Sequence, residues 1–400
     1  MKGLRIAMIT LEYPPEPGGV GESVRRIAHM LVALGCEVHV LVFHTRQSKA
    51  ITPIDGEMRG LDSELDGQVR VHRSRTVVRS EENALPELLS DVAMELRALH
   101  EQVAFDVFHA FFLNETAFVT TLVGRELTVP VITSARGADL HKNVFNGRQF
   151  PHLLWALENS SGVTFVSREL ERRAQLLVPS IIGKTSAFWN SIQPIDFGVL
   201  TRPTLPPGYL SGLVIGAAGR FRDKKGLDYL IDACTQLGRE RDITLLLVGD
   251  FVEKEKHYWQ RFIQACSFVD RIRLTGLLSR EQALAYYPLM DIFAVPSIRD
   301  GCPNSMLEAM LAARPIVGSR VDAIGEIIED GINGRLVAPA SSTQLAAALR
   351  ELAADAALRD RMGTAARQKA IAALAPAEEC ANWIKVYNAV LGGKKQAGAD

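Results

Sequence analysis

The chain carries almost no net charge. Its 45 Lys plus Arg stand against 46 Asp plus Glu, so no long-range field draws the whole molecule onto nucleic acid or an anionic bilayer, and only local patches remain for such contacts. Cysteine is scarce. The five (Cys36, Cys234, Cys266, Cys302, Cys380) are odd in number and widely spaced, with no C-x-x-C. That argues against a disulfide framework or a structural zinc site and for a reducing, cytoplasmic setting. Long apolar runs are missing too: Met1-Lys2-Gly3-Leu4-Arg5 leads straight into one short apolar segment, far below the roughly 20 residues of a membrane span. The expectation is a soluble protein. No D-x-D pair is present to hold a divalent cation beside a diphosphate, nor a His/Cys cluster with ligand spacing. The G-x-G-x-x-G of dinucleotide enzymes is absent as well, because Val24 stands three residues after Gly21.

What is present is an alternation of short apolar runs with longer amphipathic stretches, the pattern of βαβ units around parallel sheets, and an apolar share of 47% suffices for two cores. The class is α/β. Strands are expected at 5–10, 37–43, 69–73, 107–110, 129–134 and 162–166, with a helix at 21–34, enough for one doubly wound sheet. The pattern breaks over 191–208, where Pro194, Pro203 and Pro206-Pro207-Gly208 cannot sustain a helix or a central strand. It restarts with strands at 213–217, 243–248, 271–274, 291–295, 315–318 and 335–337, then a helical, alanine-rich 343–374. The expected domains are 1–195 and 208–375, both Rossmann-like. A terminal helix over 376–392 carries Trp383 and Tyr387 back to the first domain, and 394–400 is a frayed tail.

Candidate chemistry sits at strand ends. Gly219-Arg220-Phe221-Arg222-Asp223-Lys224-Lys225-Gly226 follows a strand and precedes a helix; it is either a solvated basic loop or a place where cations neutralise an anionic leaving group such as a diphosphate. A second run, Pro296 to Met310, holds Asp300-Gly301-Cys302-Pro303-Asn304-Ser305 and Glu308. Its acids could accept hydrogen bonds from vicinal hydroxyls while the helix N-terminus favours a phosphate. The competing reading is a capping box, in which Glu308 bonds back onto Ser305. In the first half, Pro14-Pro15-Glu16-Pro17-Gly18-Gly19-Val20-Gly21 offers exposed backbone or an ordinary βα turn. His109 and the run Arg136-Gly137-Ala138-Asp139 stand at two further strand ends.

In their order and spacing these elements, with Val248-Gly249-Asp250, Thr275-Gly276-Leu277 and Tyr287 to Ser297, resemble the retaining glycosyltransferases of the GT-B fold. More closely they are similar to glycosyltransferase family 4 (group 1), the family that includes sucrose and glycogen synthases. The resemblance implies two Rossmann-like domains with a cleft between them, the nucleotide-sugar donor on the second and the acceptor on the first. It implies further that Arg220 and Lys225 grip the donor diphosphate, that Glu308 takes the ribose hydroxyls and Asp300 the sugar hydroxyls, and that Gly276 and Leu277 lie by the base. Gly18, Gly19, Gly249, Gly301, Asn304 and Ser305 complete the expected donor site. Arg136 and Asp139 become acceptor-side candidates, and His109 joins Arg220, Lys225 and Asp300 as catalytic.

The sequence departs from the family pattern in three places. Asp300 stands where glutamate is common, Cys302-Pro303 where Phe-Gly is frequent, and Arg136 where many relatives carry histidine. The expected activity is transfer, with retention and without metal or other cofactor, from a nucleoside diphosphate sugar to a hydroxyl of a glycan, lipid-linked sugar or small metabolite. Nucleic acid is not an expected partner. A weak basic face at Arg25-Arg26 and Arg168 to Arg173 leaves peripheral contact with the inner face of a membrane open. A sugar-nucleotide epimerase, a binding protein without catalysis and, last, a dehydrogenase are the alternatives.

Overall fold

The structure is a computed structural model that describes residues 1–16, 18–43, 61–74 and 84–397. Pro17 of the glycine-rich run and 398–400 of the expected tail lie outside the described residues. The chain divides into two compact units, Met1–Phe188 with Glu379–Asp400, and Trp189–Glu378.

The first unit is built on an eight-stranded sheet of β1 (Arg5–Thr10), β2 (Glu37–Val42), β3 (Leu61–Asp66), β4 (Val69–Ser74), β5 (Val107–Phe111), β6 (Val131–Ala135), β7 (Gly162–Phe165) and β8 (Thr185–Ala187). Its order is β3-β4-β2-β1-β5-β6-β7-β8, parallel except for the β3–β4 hairpin. Side chains alternate across the central strand: Ile6 and Met8 enter one core, with helix Gly19–Ala33, while Ala7 and Ile9 enter the other, with helices Ala84–Val103 and Glu115–Glu126. The six expected strands are all present. The two additions escaped because β3 is an edge strand exposed along most of its length and β8 is only three residues long, so neither carries an apolar run.

The second unit holds β9 (Leu213–Phe221), β10 (Ile243–Phe251), β11 (Ile272–Leu274), β12 (Ile292–Val295), β13 (Ile316–Ser319) and β14 (Gly334–Val337), all parallel, in the order β11-β10-β9-β12-β13-β14. Residues 191–208 form neither helix nor strand, as their prolines require. They are nevertheless anchored. Ile192, Ile195, Phe197 and Leu200 pack on the core of this unit, and the Ile192 N–H donates to the Leu374 carbonyl at 2.9 Å. The alanine-rich region is two helices, Ser342–Ala354 and Ala356–Ala373. The terminal helix, Pro376–Ala397, runs further than expected and takes in the first residues of the anticipated frayed tail. Its Trp383 and Tyr387 are buried in the core of the first unit, and Glu379 accepts both guanidinium arms of Arg26 at 2.9 and 3.1 Å.

Candidate functional site

In the second sheet β9 and β12 are neighbours, while β10 and β13 lie on opposite outer sides of that pair. The strand order therefore reverses between β9 and β12, and in open α/β sheets the crevice outside the carboxyl ends at such a point takes the ligand. Both candidate loops leave from there. They touch through backbone: the Ile298 N–H donates to the Lys224 carbonyl at 2.9 Å, and a Cβ on Gly226, whose φ is +63°, would stand 2.1 Å from the Pro296 carbonyl oxygen. Only glycine fits that approach.

Asp300 lies at the centre, 7% exposed. One carboxylate oxygen accepts from Lys224 Nζ at 3.1 Å, and the other from Lys225 Nζ at 2.6 Å and Ser297 Oγ at 3.2 Å. Burial pushes its carboxyl up, but the two ammoniums outweigh burial and hold it well below the usual carboxylate range. The backbone N–H of Asp300 donates to Asp322 at 3.1 Å. Asp322 is itself buried and held at φ +42°, a left-handed conformation costing a non-glycine residue on the order of 1–3 kcal/mol. Lys224 and Asp322 were not among the expected site residues. A basic loop was legible, but nothing in its spacing told which lysines converge, and Asp322 leaves no mark in the sequence.

Helix Asn304–Leu311 settles the capping question. Its N-cap is Pro303 and no side chain caps it. Glu308 faces elsewhere, accepting from the buried Tyr287 hydroxyl at 2.7 Å and pairing with Arg280 at 3.3 Å. Burial, reinforced by the Glu308 charge, pushes the Tyr287 phenol well above its ordinary range. Asn190 ties down the turn before the helix, donating to the Cys302 carbonyl and to Asn304 Oδ1, each at 3.2 Å. Gly301 is buried, and Asn304 and Ser305 are half-buried in the first turn.

Arg220, the residue before the last of β9, lies opposite Asp250, half-buried, its Nε sealed from solvent without a hydrogen-bond partner. Across the same strand ends Gly219 pairs with Gly249, and Gly249 bridges to Gly276. A Cβ on Gly249 would fall 2.0 Å from the Gly219 carbonyl oxygen. The three glycines make a ledge of bare backbone on which a flat ring could rest, and the neighbouring Leu277 is 61% exposed. A cavity of about 630 Å³, lined by Ile195, Phe197, Pro288, Leu311 and Arg367 among others, includes none of the candidate residues.

The first unit treats its candidates differently. Gly18 is the uncapped N-cap of helix Gly19–Ala33 and lies against Glu12, whose carboxylate oxygen would be 2.2 Å from a Cβ there; Gly19 faces open space. His109 does not face a crevice, which corrects the expectation of a catalytic histidine. It is fully buried between Phe111 and Trp383, with Nδ1 bonded to the Tyr387 hydroxyl at 2.8 Å and Nε2 to Ser134 Oγ at 2.7 Å. Burial first, then the charge of Arg136, depress its pKa to about 3, so it is a neutral structural group at physiological pH. Asp139 is likewise buried and accepts the backbone N–H groups of Leu113, Arg136 and Gly137 at 2.7 to 3.2 Å. These bonds fix the loop that carries Arg136. Arg136 remains half-exposed, its guanidinium 5.9 Å from the Phe111 ring centre. Among the described residues no three His, Cys, Asp or Glu side chains form a group that could hold a metal ion, and no helix is long and apolar enough to cross a membrane.

Comparison with known proteins covers both units. Residues 212–355 match the family model of the group 1 glycosyl transferases, and residues 18–180 that of the glycosyl transferase 4-like domain. The alpha-maltose-1-phosphate synthase of Mycobacterium tuberculosis is 26% identical over 406 aligned positions, covering 92% of this chain and 95% of that protein. The sucrose-phosphate synthase of Thermosynechococcus elongatus superposes with a TM-score of 0.78 at 20% identity, covering 98% of this chain and all of that one. HepE of Anabaena, solved in complex with UDP-glucose, superposes at 0.71 and 18% identity, over 96% and 99% of the two chains. With both halves matched and the two parallel-sheet units in place, the chain belongs to the group 1, family 4-type glycosyltransferases of the GT-B fold.

Proposed function

We propose that this glycosyltransferase takes its sugar from a nucleoside diphosphate donor and passes it to a hydroxyl acceptor with retention of anomeric configuration, using no metal ion or other cofactor. The observation that carries the reading is the cationic cluster at the switch point: Arg220, with Lys224 and Lys225 both on the carboxylate of Asp300. As the anomeric carbon to phosphate-oxygen bond breaks, negative charge gathers on the departing diphosphate, and preplaced cations in a half-buried crevice are suited to stabilise it. Positive charge supplied by the protein also disfavours a divalent cation in the same place.

In this reading Glu308, held by Tyr287 and Arg280, accepts the ribose hydroxyls, and the Gly219, Gly249 and Gly276 ledge with Leu277 receives the base. Asp300 addresses the sugar. The acceptor belongs to the first unit, near Gly19 and Arg136. The likeness in the order of the 219–226 and 300–308 elements supports the retaining reading, and HepE, a protein of the same fold solved in complex with UDP-glucose, supports the donor class.

The test is turnover of UDP-, GDP- and ADP-sugars with anomeric analysis of the product by NMR, in chelator and in added Mn²⁺. Lys225→Ala should lower turnover about 10²–10³-fold. An inverted product would remove retention, and activity lost in chelator and restored by Mn²⁺ would remove metal independence.

A further inference from the structure

The family pattern accounts for one lysine in the 219–226 loop, Lys225, yet two reach the carboxylate of Asp300. Consecutive residues usually diverge; here the short turn Asp223–Lys225 brings both ammoniums to opposite oxygens of one buried acid. Their attachments differ. Lys224 is bound to the Asp300 loop twice, by its side chain and by its carbonyl, which accepts the Ile298 N–H at 2.9 Å. Lys225 is bound to that loop by its side chain alone, its own N–H going to Arg222 within the turn.

A donor diphosphate arriving at this crevice competes with Asp300 for a lysine. Were Lys225 the acid's only cation, its departure would strand an ionised carboxylate that is 7% exposed, and an uncompensated buried charge is strongly destabilising.

We propose that Lys224 is a positioning residue that retains Asp300, ionised and in place, when Lys225 leaves it for the donor diphosphate. Lys224 acts through Asp300 and makes no phosphate contact of its own. This inference rests on the donor-site reading above and adds a residue that the family pattern does not assign.

The test is calorimetric titration of UDP, GDP and ADP into wild type, Lys224→Met, Lys224→Arg, Lys225→Ala, Asp300→Asn and the double variant Lys224→Met/Asp300→Asn. Lys224→Met should weaken the diphosphate that binds wild type by about tenfold, in line with loss of one charge-assisted hydrogen bond. Lys224→Arg should restore most of it, because a guanidinium can also hold Asp300. In the Asp300→Asn background, where neither lysine is detained, Lys224→Met should change affinity less than twofold. The double variant has lost the acid and its counter-ion together, so this comparison stands even if Lys224→Met alone does not fold. An unchanged affinity in Lys224→Met, or an equal loss in both backgrounds, overturns the proposal. If Lys225→Ala weakens binding while Lys224→Met does not, the donor site stands and only the role of Lys224 falls. If no diphosphate binds wild type, the donor-site reading falls, and this one with it.

Discussion

Replacing Glu308 by alanine separates a ligand-facing acid from a helix cap. Glu308 accepts the Tyr287 hydroxyl at 2.7 Å, and Tyr287 is 1% exposed. A hydrogen bond to a charged acceptor contributes about 1.5–3 kcal/mol, and stranding a buried hydroxyl costs about 1–3 kcal/mol; these overlap, so about 2–4 kcal/mol is expected. The pair with Arg280, whose side chain is 54% exposed, adds little after solvent screening. For a unit of this size the loss corresponds to a fall in Tm of roughly 5–15 °C. Ser305→Ala should cost under about 0.5 kcal/mol, because the helix N-cap is Pro303 and Ser305 caps nothing. Tyr287→Phe should cost about 1–2 kcal/mol, and the double variant with Glu308→Ala less than the sum, since both remove one bond. Thermal unfolding of the set, with and without nucleoside diphosphate, is the assay. Equal losses in Ser305→Ala and Glu308→Ala, with Tyr287→Phe silent, would refute the reasoning and reinstate the capping box.

Two other outcomes are expected. Glu95 is held by Ser74 at 3.0 Å but has its other oxygen buried, and burial, with Asp91 adding to it, raises its pKa from 4.5 to about 7. Its contribution is therefore fully present below pH 4.5 and is lost as pH rises through about 7; Glu95→Gln should flatten that fall in Tm between pH 5 and 8, and an unchanged profile would count against it. Tyr387→Phe removes the partner of His109 Nδ1 and should destabilise the first unit by about 1–3 kcal/mol, with turnover per folded molecule unchanged. A selective loss of kcat in a fully folded variant would return His109 to the chemistry.

The two loops that meet at the ends of β9 and β12 were legible because strand–loop–helix punctuation is local. Gly219 to Gly226 spans the end of β9, Asp300 to Glu308 runs from the loop after β12 into the next helix, and a parallel sheet puts all such ends on one edge. His109 shows where that reasoning stops. Being at the end of an apolar strand is compatible with facing a ligand or facing the core, and the choice was made by Tyr387, 278 residues away. The backbone N–H groups of Leu113, Arg136 and Gly137 that Asp139 accepts are hidden in sequence for a related reason, since no linear pattern distinguishes a carboxylate bound to backbone from an open one.

By itself the sequence determined the α/β class, the succession of twelve of the fourteen strands and the proline-rich break, because apolar periodicity and proline act over a few residues. The tertiary structure alone decided which charges meet. It brought two adjacent lysines onto one buried acid, turned Glu308 from a cap toward Tyr287, and anchored 191–208 on the second unit. The physical reason is common to all of these. Pairing energies between groups far apart in the chain depend on burial and on distances of about 3 Å, and a linear pattern encodes neither.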